Sequence, residues 1–371
     1  MHLEKRTNVN EMKEQEYRSL KSRLSYSNLK TYATNRTKFY KECVLGEISP
    51  KDETVSTIVG NLVHTLLSGE DFDGKFHIAC ATEPTGQMLE LVEALFKRTL
   101  KSINAEGVQT ENFEILFIDA VNAVKYDFDL KEVKFKGKSV EKIVEMFSGS
   151  DAELFYKEKL SCIGKTLVTV NQIQTAEKVV EMLKTHPYTR DIINLRTEGE
   201  IEVFNEQVVL YELEGIELRS MLDKIVINHD TKIIHSYDYK ITWQNEEGFE
   251  YNYLKNSYYL QASLYHEAVK AFIIEHSLTD YQIEPMTYIA ADVTANSAPV
   301  IYQLTDGDIQ AGLLGFQVRD KQYMGVNQIL ENISWHLLTG TWNTTKAIQQ
   351  SNGIITQYSL HKLIDSAYLV L

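Results

Sequence analysis

The sequence predicts an α+β or α/β chain with one central mixed β-sheet flanked by helices. Three observations carry that reading. Apolar residues at helical spacing dominate the chain before about residue 195, period-2 alternation takes over near Gly199, and helical segments return between and after the strands.

Taken in order, residues 8–22 read as a polar helix, and Ser25 caps a second helix carrying Leu29, Tyr32, Ala33, Phe39 and Tyr40. A third helix covers 54–68, where Val55, Ile58, Val59, Leu62, Val63, Leu66 and Leu67 fill a 3.6-residue stripe with His64 beside it. From 85 to 190 the pattern is mainly helical, with Met88, Leu91, Val92 and Leu95 in one segment and Ile173, Ala176, Val179 and Val180 in another. Ser148-Gly149-Ser150 marks a loop within it. This stretch shows no repeat and no chemistry, and reads as an inserted helical lobe that shapes a channel. Strands are expected at 200–205, 208–214, 216–227 and 232–240, a helix at 251–275, strands at 286–292 and 299–304, and a long helix at 306–338. The expected organisation is an N-terminal helical part at 1–84, the lobe at 85–195, the sheet-bearing core at 196–345 and a tail at 346–371.

Composition narrows the function classes. At 371 residues the chain can bury a sizeable core, as one elaborated domain or two. Cys43, Cys80 and Cys162 lie far apart and form no CxxC pair, against a disulfide framework or zinc knuckle. Met1 to Arg23 are polar throughout, which predicts no secretory signal, and no apolar run approaches the ~20 residues that span a bilayer. A soluble, cytoplasmic protein with no membrane partner is expected. The net charge of −14 opposes broad phosphate binding, yet residues 1–50 hold ten Lys or Arg against six Glu. The expectation is an acidic body with a local basic, aromatic arm.

The chemistry concentrates at the strands 216–227 and 232–240, which Asn228-His229-Asp230-Thr231 join as a hairpin. A turn centred between His229 and Asp230 sets Asp223 opposite Ser236, Met221 opposite Asp238 and Arg219 opposite Lys240. Asp223, Asp238 and Lys240 then share one face, the carboxylates close enough to hold one cation between them. Magnesium favours such oxygen donors, and the Lys240 ammonium would orient a water or offset developing charge. A D-x-K triplet alone is most often an exposed strand. Here it follows Ile233, Ile234 and Tyr237 and precedes Ile241 and Trp243, where charge is costly without a function. Gly60-x-x-x-His64 puts both residues on one helical face, the imidazole being a metal ligand or a satisfied core group. Gln261-x-x-x-Tyr265 likewise shares a face, where amide and phenol could hold a phosphate or base, or simply pack.

In order, Gly60-x-x-x-His64, Leu218-Arg219-Ser220-Met221-Leu222-Asp223, Asp238-Tyr239-Lys240 and Gln261-x-x-x-Tyr265 resemble the RecB-like branch of the PD-(D/E)XK nucleases. Within it the chain looks most like the RecE-like phage and prophage exonucleases, with Ser25-Tyr26-Ser27-Asn28-Leu29 as their N-terminal Ser-x-Ser-x-Leu stretch and Trp342 after a C-terminal helix. The resemblance covers about half the chain and leaves the lobe unmatched. It implies a restriction-endonuclease-like core, a metal held by His64, Asp223 and Asp238, a catalytic Lys240, and Gln261, Tyr265 and Arg219 facing nucleic acid. It also asks for a carboxylate from an earlier strand, for which Glu200 and Glu202 are candidates. The implied cofactor is Mg2+, with Mn2+ as a substitute. The four cysteines of iron–sulfur relatives are missing, so no cluster is expected.

The implied activity is 5′ to 3′ degradation of double-stranded DNA ends in phage-type recombination, in the host cytoplasm. The implied partners are DNA, a single-strand annealing protein and copies of the chain in a ring, which would hold DNA by topology rather than charge. Two alternatives stay open: a single-strand or structure-specific nuclease of a repair complex, and an inactive nuclease fold that binds DNA or serves as a scaffold. No Walker-type loop and no G-x-S-x-G elbow occurs in the sequence.

Overall fold

The structure is a computed structural model that describes residues 14–47, 54–103, 109–126, 132–242 and 246–354. The chain divides into two compact units, one of residues 1–49 and 179–371 and one of residues 50–178. Sequence reasoning set the lobe at 85–195; the compact unit begins earlier and takes the His64 helix with it.

In the first unit, α1 (Glu14–Ser19) is what is described of the helix expected at 8–22; residues 8–13 lie outside the described residues. Ser25 opens α2 (Tyr26–Thr34), its backbone N–H and hydroxyl both donating to Asn28 Oδ1 at 2.9 and 2.8 Å. Asn35 ends α2 and caps α3 (Arg36–Phe39), which runs into a π-helical turn at Tyr40–Val44. Phe39 and Tyr40, expected on the second helix, therefore sit beyond a break.

The second unit starts with α4 (Val55–Ser68), capped by the Thr54 hydroxyl accepting from Thr57 N (3.2 Å) and closed by Gly69 at φ +74°. After it come α5 (Phe72–Lys75), β1 (Phe76–Ile78), α6 (Gly86–Ser102), α7 (Phe113–Lys125), α8 (Val140–Phe147), α9 (Asp151–Ser161) and β2 (Thr166–Val168), which pairs in parallel with β1. The expected loop at Ser148-Gly149-Ser150 separates α8 from α9. Leu91, Leu95, Phe117, Val121, Ile143 and Phe147 form an apolar core of this unit's own.

The division falls within α10 (Val170–Thr185), and α11 (Arg190–Ile193) leads to the sheet. The strands are β3 (Ile201–Leu213), β4 (Ile216–Asn228) and β5 (Ile233–Thr242), then, past α12 (Glu246–Lys255) and α13 (Tyr258–Glu275), β6 (Gln282–Ile283), β7 (Thr287–Asp292) and β8 (Val300–Gln303). Their order is β3-β4-β5-β7-β8, with β6 also beside β5. The β5–β7 pair is parallel and the pairs β3–β4, β4–β5 and β7–β8 are antiparallel, so the sheet is mixed. A parallel neighbour needs a crossover, which α12 and α13 supply. Apolar positions on nearly every turn of α13 bury Leu260, Leu264, Ala268 and Phe272 in one core with Leu222, Ile225 and Ile234 of the sheet.

Three expectations are corrected. The strands at 200–205 and 208–214 are one strand, with Glu206 in the left-handed region (φ +48°) between them. The helix at 251–275 is two helices, parted at Asn256-Ser257 with Ser257 at φ +58°. The helix at 306–338 is α14 (Asp306–Leu314), a hairpin of β9 (Phe316–Val318) and β10 (Lys321–Tyr323), and α15 (Val326–Thr339), with α16 (Lys346–Gln350) beyond. Gly315 makes the first break. At φ +87° it lies so near the returning chain that a Cβ would stand 2.8 Å from the Tyr323 carbonyl oxygen. No described helix is long and apolar enough to cross a membrane.

Candidate active site

The site grows from the β4–β5 hairpin. Lys224 pairs with Tyr237 and Asn228 with Ile233, so the turn holds four residues, His229 to Lys232. Asn228 Oδ1 accepts from Thr231 N (3.0 Å) and Lys232 takes φ +54°. The sequence expectation centred this turn one residue too early, and Ile225 rather than Asp223 stands opposite Ser236. The resulting shift is of two residues, an even number, so every side chain keeps its expected face. Continued by one step, the ladder sets Asp223 against Asp238, making them direct cross-strand neighbours instead of diagonal ones.

Both carboxylates are deep, Asp223 at 8% and Asp238 at 1% exposure. An ion buried this far needs partners. Asp223 Oδ2 accepts from Tyr239 N (2.7 Å). Asp238 Oδ1 accepts from Gln261 Nε2 (2.6 Å), and Oδ2 forms an ion pair with the Lys240 ammonium. That ammonium also lies 4.9 Å from the Tyr258 ring centroid and 5.5 Å from that of Tyr288. Burial pulls the Lys240 pKa down, but the Asp238 carboxylate, with Tyr258 and Asp223, outweighs it and holds the group above its ordinary value. The ion pair with Asp238 thus favours the charged form of Lys240.

A third carboxylate joins them. Asn205 pairs with Lys224 and Gln207 with Leu222, so Glu206 lies level with Asp223, and carboxylate oxygens of the two come within 4.8 Å of each other. Glu200 and Glu202 are not the neighbours of Asp223. The Glu202 carboxylate is 3.4 Å from His229 Nε2, and the Glu200 carbonyl accepts from His229 N, both at the turn end of the hairpin. Sequence reasoning missed Glu206, although the interruption of alternation at 206–207 was the available signal.

Gln261 and Tyr265 share one face of α13 as expected. That face is turned inward, with the two residues 4% and 8% exposed, and the Gln261 amide is spent on Asp238. Burial first, then Asp238 and Asp223, push the Tyr265 hydroxyl well above its usual range, so it stays neutral. Arg219 is drawn away to α1, its guanidinium 4.8 Å from the Tyr17 ring centroid and donating to the Tyr17 carbonyl. His64 is half-buried on α4, in the unit of residues 50–178. On the opposite face of β4, Lys224 is 1% exposed and donates to the carbonyls of Ile192 (2.8 Å), Ile193 (3.3 Å) and Leu195 (3.2 Å), at the end of α11.

Glu206, Asp223 and Asp238 offer hard oxygen donors, the set that suits Mg2+, Mn2+ or Ca2+ rather than a thiophilic metal. Such donors beside an ammonium, gathered from the edge strand β3 and the inner strands β4 and β5, are a set suited to metal-dependent phosphodiester hydrolysis. The model of the PD-(D/E)XK nuclease superfamily matches residues 23–284, and the chain belongs to that superfamily. It is similar to a solved structure of a candidate exonuclease from Eubacterium rectale, with 11% identity, a TM-score of 0.43, and coverage of 89% of this chain and 87% of that one. Among curated proteins none matches the chain.

Proposed function

We propose that the protein is a magnesium-dependent deoxyribonuclease that degrades double-stranded DNA from its ends, 5′ to 3′, in phage-type recombination or DNA processing. The observation that carries this reading is the pairing of Asp223 with Asp238 beside Lys240, with Glu206 alongside, on one face of the sheet. Asp223, Asp238 and Glu206 hold the metal; His64 is assigned as a further ligand on the strength of its Gly60-x-x-x-His64 motif. Mg2+, or Mn2+ in its place, would supply Lewis acidity at this site when bound.

The protein's own groups do the rest. Lys240, held protonated, donates to a non-bridging phosphate oxygen or to the attacking water and offsets the charge that develops as the P–O bond breaks. Gln261 is a positioning residue that fixes the Asp238 carboxylate. The assignment of Tyr265 and Arg219 to DNA contact rests on their motifs alone, since Tyr265 is buried and Arg219 is engaged by Tyr17.

Placement in the RecB-like branch, near the RecE-like exonucleases, rests on the order of the four motifs. With it come a single-strand annealing partner, a homo-oligomeric ring and a host-cytoplasmic setting. The test is degradation of a linear duplex labelled at either 5′ end, with magnesium or EDTA, beside Lys240→Ala and a closed circle. Magnesium-dependent loss of the linear form alone, abolished by Lys240→Ala, supports the reading and shows the direction. Cut circles make the protein an endonuclease, and intact substrates throughout leave an inactive DNA-binding fold.

A further inference from the structure

A second feature of the sheet unit lies outside the carboxylate cluster. Between α2, the end of α12 and the β9–β10 hairpin is a cavity of about 330 Å3 whose walls include Tyr251, Lys255, Tyr259, Lys321, Gln322 and Tyr323. In a chain with 52 acidic and 38 basic residues, its described lining holds two lysines and no carboxylate. The lysines stand over aromatic rings, Lys255 Nζ 5.6 Å from the Tyr251 centroid and Lys321 Nζ 4.8 Å from that of Tyr323. Tyr251 is 64% exposed, which burial in a core does not explain. Tyr323 is stiffened from behind by Phe316, stacked at 5.1 Å and 8°.

A chain of side-chain contacts links Lys240 to the residue beside Lys255 in the cavity wall. Lys240 packs on Tyr258, whose hydroxyl accepts from Asn256 Nδ2 (3.4 Å), and Asn256 Oδ1 accepts from Lys30 Nζ (3.2 Å). Asn256 directly follows Lys255. Burial lowers the Lys30 pKa, and the charges of Lys240 and Lys255 lower it further.

We propose that this groove binds a single strand of DNA, its phosphates on Lys255 and Lys321 and a base on the ring of Tyr251. Rings flanked by cations suit unpaired bases, whose faces are free, and not a duplex, whose faces are stacked inside. The track from Lys240 through Lys30 and Lys255 makes it the path of the strand next to the cleaved bond. This assignment rests on the nuclease reading.

The test is fluorescence-anisotropy titration of a short labelled oligothymidylate, and of a blunt hairpin duplex, into the full chain with EDTA so that nothing is cut. Tyr251→Ala and Lys321→Glu, both at exposed positions, are compared with wild type, melting curves confirming that each folds. Each is expected to weaken single-strand binding at least about fivefold, with the duplex changed less than about twofold. Unchanged single-strand affinity, or equal loss for both ligands, overturns the proposal. The wild type is assayed separately on linear duplex with magnesium. Inactivity there with the expected binding losses sinks the nuclease reading and leaves the groove, whereas full activity with unaltered binding sinks the groove alone.

Discussion

In the sheet unit Asp223, Lys224 and Asp238 are each less than a tenth exposed, and Lys240 and Glu206 stand beside them. In the helical unit, among the described residues, the one charged side chain so deep is Lys125, which reaches the Lys138 carbonyl and lies 3.2 Å from Glu132. Its other ion pairs, such as Lys142 with Glu145 and Lys157 with Glu153, lie near the surface, where they contribute little. One unit is arranged for stability and the other keeps like charges together at a cost. Three carboxylates gathered around one ammonium leave uncompensated negative charge in a low-dielectric surrounding, which is a reason to look for chemistry there.

The largest effect that sharpens this contrast is expected at Asp223. Asp223→Asn should lower the rate of DNA cleavage about 10³-fold, as loss of a metal-borne charge does. It should also raise the melting temperature in EDTA, because repulsion with Asp238 and Glu206 is relieved while the side-chain oxygen can still accept from Tyr239 N. Magnesium should then raise the melting temperature of wild type but not of the variant. A variant that melts lower in EDTA would break the contrast.

In the helical unit, Leu95→Ala removes a fully buried side chain and should cost about 2–5 kcal/mol by denaturant unfolding. If the units melt apart, a transition of the sheet unit should remain where it was. Next comes Glu206→Gln, expected to shift the magnesium midpoint of cleavage by about 10–100-fold, against less than about twofold for Glu202→Gln. Equal shifts would return the earlier-strand ligand to Glu202.

The smallest effect is at His235, which burial pulls from its ordinary 6.5 to about 4. Between those values the unfolded chain binds the extra proton, so stability falls as pH drops from 6.5 towards 4 and is flat above 6.5. His235→Gln should remove that slope from the pH dependence of the melting temperature. A slope left intact would assign it to the carboxylates.

Much of this was legible in the sequence because strand periodicity is indifferent to even errors. Asp223, Asp238 and Lys240 were placed on one face although the turn was misjudged, since only an odd slip would have parted them. What was not legible depended on backbone conformations that pattern does not encode. Glu206 at φ +48° looked like a gap between strands, Ser257 at φ +58° left no mark on the apolar period, and the β9–β10 hairpin was hidden in a stretch whose short strands mimic helical spacing. The inward turn of Gln261 was equally hidden, because sharing a face does not say what the face meets.

Asp223 and Lys224 are consecutive, one carboxylate on the site face and one ammonium against the carbonyls of Ile192, Ile193 and Leu195. Were β4 to pair one residue out of step during folding, the ammonium would enter the carboxylate cluster and the carboxylate would face carbonyl oxygens, which repel it. The mispaired hairpin would lose the cation site and a helix cap at once. Only the in-register strand meets both demands, with the carboxylate on the site face and the ammonium against the three carbonyls.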